Sequence, residues 1–215
     1  MKPLSEAPRL VLTLTLAGLF SGLAIVSAYR LTLPRIQESQ ARALREAVFQ
    51  VVPGSETMQR LVLVGGSVVP AGEGGAGSAG ESIYAAYDGT GAFVGYAIPA
   101  AGAGFQDTIK LLYGYDPATR STLGMQVLES RETPGLGDRI YKDPDFLDEF
   151  RGLAVDPRIE LVKGAGEEPW QVDAITGATI SSAAVVSILN QGNAFWLERL
   201  PADPPPVARP GRAER

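Results

Sequence analysis

Apolar side chains form one long uninterrupted run near the N-terminus and several short segments further along the chain. Residues 10–29, LVLTLTLAGLFSGLAIVSAY, carry no charge and lie between Arg9 and Arg30. At about 1.5 Å per residue, a helix of this length reaches ~30 Å, the thickness of the hydrocarbon core of a membrane. The pattern predicts a transmembrane helix over 10–29, after a short tail at 1–9. A cleaved signal peptide is the alternative, although its apolar part is usually shorter.

A second helical pattern follows this run directly. Ile36, Ala43 and Val48 recur among polar residues, and the pair Pro53-Gly54 ends the pattern. This spacing predicts a helix over 36–51. It would form a linker over 30–54.

The remaining apolar segments are short, and most are typical of strands. The sequence predicts strands at 60–69 (interrupted by two glycines), 83–88, 92–100, 109–116, 123–130 and 158–164, and helices at 146–153 and 181–200. Strands that follow one another through short turns, with helices at the edges, indicate an α+β domain with an antiparallel sheet. We expect this domain to span 55–200.

Two segments have the composition of irregular chain. Residues 71–82, AGEGGAGSAGES, are almost entirely Gly, Ala and Ser, which predicts a flexible surface loop. Residues 201–215 are rich in proline and predict a disordered tail.

Composition excludes several kinds of chemistry. The chain of 215 residues contains no histidine and no cysteine. It therefore cannot use a Ser-His-Asp or Cys-His nucleophile, or hold zinc, haem or an iron–sulfur cluster by the usual ligands. A net charge of −5 argues against binding of nucleic acid. We expect neither catalytic side chains nor a bound metal, so any redox chemistry requires a cofactor.

The most informative polar segment, Asp173–Ser182, reads Asp-Ala-Ile-Thr-Gly-Ala-Thr-Ile-Ser-Ser and precedes the last predicted helix. Free backbone N–H groups at the start of a helix, together with the helix dipole, favour an anion such as phosphate. The alternative is that Thr179, Ser181 and Ser182 are helix caps, which is the commonest use of such residues.

Two glycine-containing segments are further candidates. In Glu132–Asp138, Gly135 and Gly137 flank Leu136, and glycines allow the backbone to approach a flat ligand closely. The segment 102–105 contains two glycines and precedes the strand that carries Lys110. Both segments are also what an ordinary turn requires.

Taken together, these motifs resemble one family. The pattern Asp-x-x-Thr-Gly-Ala-Thr-x-Ser-Ser, with Glu-Thr-Pro-Gly-Leu-Gly about forty residues upstream and an N-terminal membrane helix, is similar to the G subunit of the Rnf electron transport complex. The C subunit of the sodium-pumping NADH:quinone oxidoreductase is related to it. The resemblance covers about residues 8–200 and implies an FMN-binding domain.

The resemblance also implies a covalent cofactor. In the family, a separate flavin transferase esterifies the phosphate of FMN to the second threonine of the motif, which is Thr179 here. The implied contacts around it are Thr176, Gly177, Ala178, Ser181 and Ser182, with Thr133, Gly135, Leu136 and Gly137 near the ring. Two further roles are hypotheses: Lys110 would stabilise the flavin by charge, and Asp173 would orient the loop or bind a metal during the transfer, with an Asx turn as its alternative.

The function implied is that of a membrane-anchored electron carrier within an ion-translocating ferredoxin:NAD oxidoreductase. Its partners would be the other membrane subunits of that complex. Its soluble domain would lie on the outer, periplasmic face of the bacterial inner membrane, a choice that the flanking positive charges leave open. The alternatives are an FMN protein of a quinone-reducing or extracellular electron transfer system, and an anchored binding module without a cofactor.

Overall fold

The computed structural model describes residues 6–71, 82–164 and 166–201. The predicted loop at 71–82 and tail at 201–215 therefore lie outside the described residues, apart from Ala71, Ser82 and Pro201. The chain forms two compact units, Met1–Leu44 and Arg45–Arg215.

The N-terminal apolar run lies in one long helix, α1, Glu6–Val51. The predicted helix at 36–51 is part of it, because the helix continues through Pro34. The large apolar side chains between residues 10 and 29 are exposed, as a helix that crosses a membrane requires, and α1 is a candidate membrane span by length and composition.

Hydroxyl groups along this helix bond to its own backbone. The hydroxyls of Thr13 and Thr15 donate to the carbonyls of Arg9 and Val11 at 2.8 Å. The Thr32 hydroxyl is 2.9 Å from the carbonyl of Ala28 and 3.1 Å from that of Tyr29. These polar groups are thus satisfied within the helix.

The second unit is built on a six-stranded antiparallel sheet, which confirms the predicted fold class. Its order is β2-β1-β3-β4-β5-β6. The strands are β1 Thr57–Val64, β2 Ser67–Pro70, β3 Ser82–Tyr87, β4 Phe93–Ala103, β5 Thr108–Asp116 and β6 Ser121–Glu129. The predicted strand at 60–69 is a hairpin, because Gly65 and Gly66 both have positive φ and turn the chain between β1 and β2.

The segment after β6 contains short elements that the sequence pattern did not resolve. They are α2 Arg139–Lys142, α3 Pro144–Asp148, β7 Glu160–Val162 and β8 Gln171–Asp173, and β7 pairs with β8 in parallel. The helix expected at 146–153 is shorter and starts earlier, because Pro144 favours a first helical turn and Gly152, at φ +76°, is not helical. The strand expected at 158–164 is reduced to β7.

The last helix, α4 Thr179–Trp196, packs its apolar face on β4 and β5. Val185 and Leu189 are fully buried in this contact. Gly102 lies within β4 and not in the predicted turn, and a Cβ there would be 2.6 Å from Cγ1 of Ile188. This close approach holds the middle of α4 on β4. The start of α4 and the β4–β5 turn line one cavity, and the candidate site lies there.

Candidate functional site

Three segments enclose a cavity of about 350 Å³. They are the β4–β5 turn, the loop that follows β6, and the loop that leads into α4. A cavity of this size is at the lower end of those that bind small molecules and cofactors. Its lining consists of Phe105, Glu132, Thr133, Leu136, Gly137, Gly177, Ala178, Thr179, Ile180 and Ser181. The two motifs that were separate in sequence therefore meet in one site.

The start of α4 offers backbone N–H groups to this cavity. Its N-cap residue is Ala178, which has no side-chain cap. The first helical hydrogen bond runs from the Ser182 N–H to the Ala178 carbonyl at 2.9 Å. The N–H groups of Thr179, Ile180 and Ser181 precede that bond and have no acceptor within the helix. An anion such as a phosphate would complete this helix end.

The two serines of the motif have different structural roles. Ser182 Oγ accepts the N–H of Ile175 at 3.2 Å and donates to the carbonyl of Ala178 at 3.1 Å. It therefore holds the loop against the first turn of the helix. Ser181 Oγ donates instead to Glu132 Oε2 at 2.6 Å. Neither serine is the N-cap, so the capping alternative does not account for the motif.

Glu132 begins the candidate segment Glu132–Asp138 and lines the cavity, but the sequence indicated no role for its side chain. Its side chain is only 5% exposed. Besides Ser181, it accepts the N–H groups of Phe105 and Gln106 on Oε1, at 2.9 and 3.0 Å. Its three donors come from segments about 26 and 49 residues away in the chain, and no local pattern indicates such a network.

The loop after β6 is held in shape by a buried carboxylate at its other end. Asp138 Oδ1 accepts the N–H of Gly135 at 2.8 Å, and Oδ2 forms an ion pair with Lys142 Nζ at 2.5 Å. The hydrogen bond from Lys142 holds the pKa of Asp138 below its ordinary value. Gly135 has φ +79° and does not line the cavity. The conformational freedom of Gly135 is therefore needed for the turn.

Gly137 lines the cavity for a different reason. A Cβ at this position would lie 2.7 Å from both Glu132 Oε2 and Ser181 Oγ. The missing side chain therefore leaves room for the bond between the carboxylate and the hydroxyl. The predicted close approach of backbone to ligand at Gly137 stays a prediction.

Three apolar side chains around the cavity are exposed. Phe105 is 61%, Leu136 53% and Ile180 62% exposed. Large apolar groups clustered at the mouth of a cavity are what a flat, mostly apolar ring would cover. This arrangement fits the predicted role of Leu136.

Lys110 and Asp173 are not among the cavity residues. Lys110 Nζ forms an exposed ion pair with Glu129 at 2.7 Å. Asp173 Oδ1 accepts the N–H of Gly164 at 2.8 Å, which fixes the loop between β7 and β8 and gives Asp173 a structural role. Within residues 6–71, 82–164 and 166–201, no group of three or more acidic side chains could hold a metal ion.

Thr176 lies just outside the cavity and is exposed. Its backbone carbonyl accepts a hydrogen bond from Arg139 Nη1 at 2.8 Å. Arg139 also pairs with Asp143 at 2.7 Å, so it links the loop after β6 to the loop before α4. No sequence motif indicated this role for Arg139.

Comparisons with known proteins agree with the site. Residues 104–193 match the model of the FMN-binding domain, and this range contains every residue that lines the cavity. The G subunit of the ion-translocating oxidoreductase complex of Methanosarcina acetivorans is 32% identical over 190 residues, which cover 88% of this chain and 94% of the relative. The chain belongs to this G-subunit family. The corresponding protein of Aliivibrio fischeri ES114 is 30% identical over 187 residues, or 86% and 88% of the two chains.

Solved structures show the same fold at lower identity. The C subunit of the Na⁺-translocating NADH-quinone reductase of Parabacteroides distasonis has a TM-score of 0.62 at 20% identity, with coverage of 79% of this chain and 98% of the other. NqrC of Shewanella oneidensis has a TM-score of 0.58 at 18% identity, with coverage of 71% and 91%.

The family relation confirms the resemblance seen in the sequence. As a member of the G-subunit family, the chain is an FMN-binding subunit of an ion-translocating, multi-subunit oxidoreductase, and the part of the chain that the structure describes contains one candidate membrane span. This result favours a flavin protein over a binding module without a cofactor.

Proposed function

We propose that Thr179 carries FMN through a phosphoester and that the chain relays electrons within a ferredoxin:NAD oxidoreductase. The observation that supports this most directly is the position of Thr179. It is the first residue of α4, it lines the cavity, and the helix begins there without a side-chain cap. A phosphate on this residue would lie at the free N–H groups of the first turn.

The residues present fit the cofactor. The N–H groups of Thr179, Ile180 and Ser181 would hold the phosphate, and the exposed side chains of Phe105 and Leu136 would cover the ring. The flavin, when bound, supplies the capacity to accept and release electrons. The residues of the chain fix the cofactor in place and exclude water from one part of it.

The attachment reaction requires an enzyme outside this chain. The Thr179 Oγ–P bond forms, the bond between phosphorus and its leaving group on an activated flavin nucleotide breaks, and the threonine proton must be removed. The chain contains no histidine that could act as the base. We therefore propose that a flavin transferase supplies this base during maturation.

The location of the soluble unit is also a proposal. The chain would cross the inner membrane once through residues 10–29 and carry its flavin on the periplasmic face, next to other membrane subunits. The exposed apolar side chains of α1 support insertion in a membrane and leave its direction open.

Intact-mass spectrometry tests the attachment. After co-expression with a flavin transferase, the chain should gain the mass of FMN less one water, on the peptide that contains Thr179. The Thr179→Ala variant should lose this gain completely. Thr176→Ala is the matched control, because Thr176 is exposed outside the cavity, and it should retain at least part of the label. Full labelling of Thr179→Ala would contradict the proposal.

A topology reporter tests the location. A reporter that works only outside the cytoplasm, fused after residue 200, should be active, and the same fusion to a reporter that works only inside should be silent. N-terminal sequencing should find the first thirty residues retained. A mature chain that begins near Tyr29 would instead establish a cleaved signal peptide.

A further inference from the structure

We propose that Glu132 is a positioning residue for the flavin: its carboxylate joins two walls of the cavity and places a fixed negative charge in the cavity lining. The inference rests on the proposed function, because it needs a flavin in this cavity. It goes beyond that function because it assigns Glu132 two effects on the flavin, one through the residues that it hydrogen-bonds and one through its own charge.

The hydrogen bonds of Glu132 connect elements that are distant in sequence. Oε1 accepts two N–H groups from the β4–β5 turn, those of Phe105 and Gln106. Oε2 accepts the hydroxyl of Ser181, two residues after Thr179. The carboxylate is the acceptor in all three bonds, and bonds to an ionised acceptor are stronger than neutral ones. It therefore holds the turn that bears Phe105 against the helix start that bears Thr179.

Two glycines leave the space that this carboxylate occupies. A Cβ at Gly104 would collide with Oε1, and a Cβ at Gly137 would lie 2.7 Å from Oε2. Neither glycine has a positive φ, so backbone conformation does not explain them. Gly137 leaves room for the Glu132 side chain and the Ser181 hydroxyl, and Gly104 leaves room for the same carboxylate and for the backbone carbonyl of Asp107, which a Cβ would meet at 2.7 Å. The position of the carboxylate is thus specified from two sides.

The charge of Glu132 acts on whatever occupies the cavity. The residue is among those that line it, and its side chain is shielded from bulk water. A negative charge beside a flavin disfavours the addition of an electron, and the interaction is stronger away from solvent. Glu132 should therefore keep the midpoint potential lower than an uncharged residue would.

Three variants of the full-length chain separate the charge from the hydrogen bonds. Glu132→Gln removes the charge but can keep the contacts, because its carbonyl can accept the two N–H groups while its amide donates to the Ser181 hydroxyl. Glu132→Ala removes both. Ser181→Ala keeps the charge and breaks only the bond to α4. Glu160→Gln is the control, because this glutamate is exposed on β7 and away from the cavity.

The first measurement uses the flavin-loaded protein. Glu132→Gln should keep the full FMN mass and raise the midpoint potential of the flavin. We expect a tenfold change in the equilibrium for one-electron reduction, which corresponds to about 59 mV. Ser181→Ala should leave the potential lower than that of Glu132→Gln but reduce the fluorescence anisotropy of the flavin. A potential for Glu132→Gln equal to that of Glu160→Gln would overturn the role of the charge.

The second measurement needs no flavin. In protein made without the transferase, Glu132→Ala should speed amide hydrogen exchange about tenfold in the peptide containing Phe105 and Gln106, since these amides lose their acceptor. Unchanged exchange would overturn the link. If wild-type protein never gains FMN, the Thr179 proposal fails, while this measurement still decides whether Glu132 joins the two segments.

Discussion

The segments Asp173–Ser182 and Glu132–Asp138 contribute to the same cavity by different physical means. The first contributes backbone: Gly177, at φ +85°, turns the chain, and α4 begins with free N–H groups. The second contributes side chains: Leu136 stands exposed at the mouth, and Glu132 is buried with three donors. The first segment thus shapes the cavity through its main chain around Thr179, and the second does so through its side chains. Substitutions should separate the two cases.

The largest effect should come from Gly137→Ala, which tests the side-chain network of the second segment. The new Cβ would meet both Glu132 Oε2 and Ser181 Oγ at 2.7 Å. Overpacking of this kind typically costs about 1–3 kcal/mol, and we expect about 3 because a buried charged bond must shift. Thermal unfolding of the purified chain in detergent measures it. A change below about 0.5 kcal/mol would show that the network adjusts freely.

The next effect tests the main chain of the first segment. Ser182→Ala removes the hydroxyl that accepts the Ile175 N–H and donates to the Ala178 carbonyl. Because a buried donor is left without a partner, we expect a loss of about 2 kcal/mol and slower FMN attachment at Thr179. Ser187→Ala, on the exposed side of α4, should change stability by less than about 0.5 kcal/mol. If the two variants change stability equally, the Ser182 hydroxyl does not hold the loop against the start of α4.

Gly135→Ala is the partner experiment to Gly137→Ala within the same loop. A Cβ at Gly135 meets nothing within 4 Å, but φ +79° is unfavourable for any side chain. The expected destabilisation is about 1 kcal/mol, from backbone strain alone. The flavin content should stay normal, with a small shift in the absorption spectrum as the loop adjusts. A destabilisation larger than that of Gly137→Ala would reverse the roles that we assign to the two glycines.

The smallest effect should depend on pH. Lys142 lowers the pKa of Asp138 in the folded chain, so the pair stabilises the fold above the ordinary carboxyl pKa. This contribution is lost as the pH falls through the lowered value, below about 4. Asp138→Asn should therefore be less stable than wild type near pH 7, and the difference should narrow on acidification. A constant difference in melting temperature from pH 7 to pH 3 would contradict this.

The elements of the sheet were predictable because their patterns are local. The strands expected at 83–88 and 109–116 lie at Ser82–Tyr87 and Thr108–Asp116. Of the parallel pair, β7 lies within the strand expected at 158–164, and β8 was not predicted. A strand of three residues is too short to give a recognisable pattern. Helix α4 begins two residues before the predicted start, because Ala178 provides no side-chain signal for an N-cap.

The candidate site was predictable where it depends on contiguous residues. Thr179 and Leu136 were singled out by the resemblance of their motifs to a known family, and both line the cavity. The contacts of Glu132 and Arg139 were not predicted, because their partners lie in segments that only the fold brings together. Lys110, expected near the flavin from its charge, forms an ion pair with Glu129 on the neighbouring strand and is not among the cavity residues, and its role toward the flavin stays a prediction. The sequence around a single charged residue in a strand does not indicate whether that residue contacts a ligand or pairs with the neighbouring strand.

The threonines of α1 bear on how the protein can join its complex. Since Thr13 and Thr15, within the apolar run, bond to carbonyls of their own helix, these hydroxyls do not need partners from a neighbouring helix. In lipid, where an unsatisfied polar group is costly, such a segment can insert and diffuse alone before it meets another membrane protein. The contacts of α1 with other membrane subunits would then depend on the shapes of the packed helix surfaces. Hydrogen bonds of these threonines would not determine the order in which the subunits assemble.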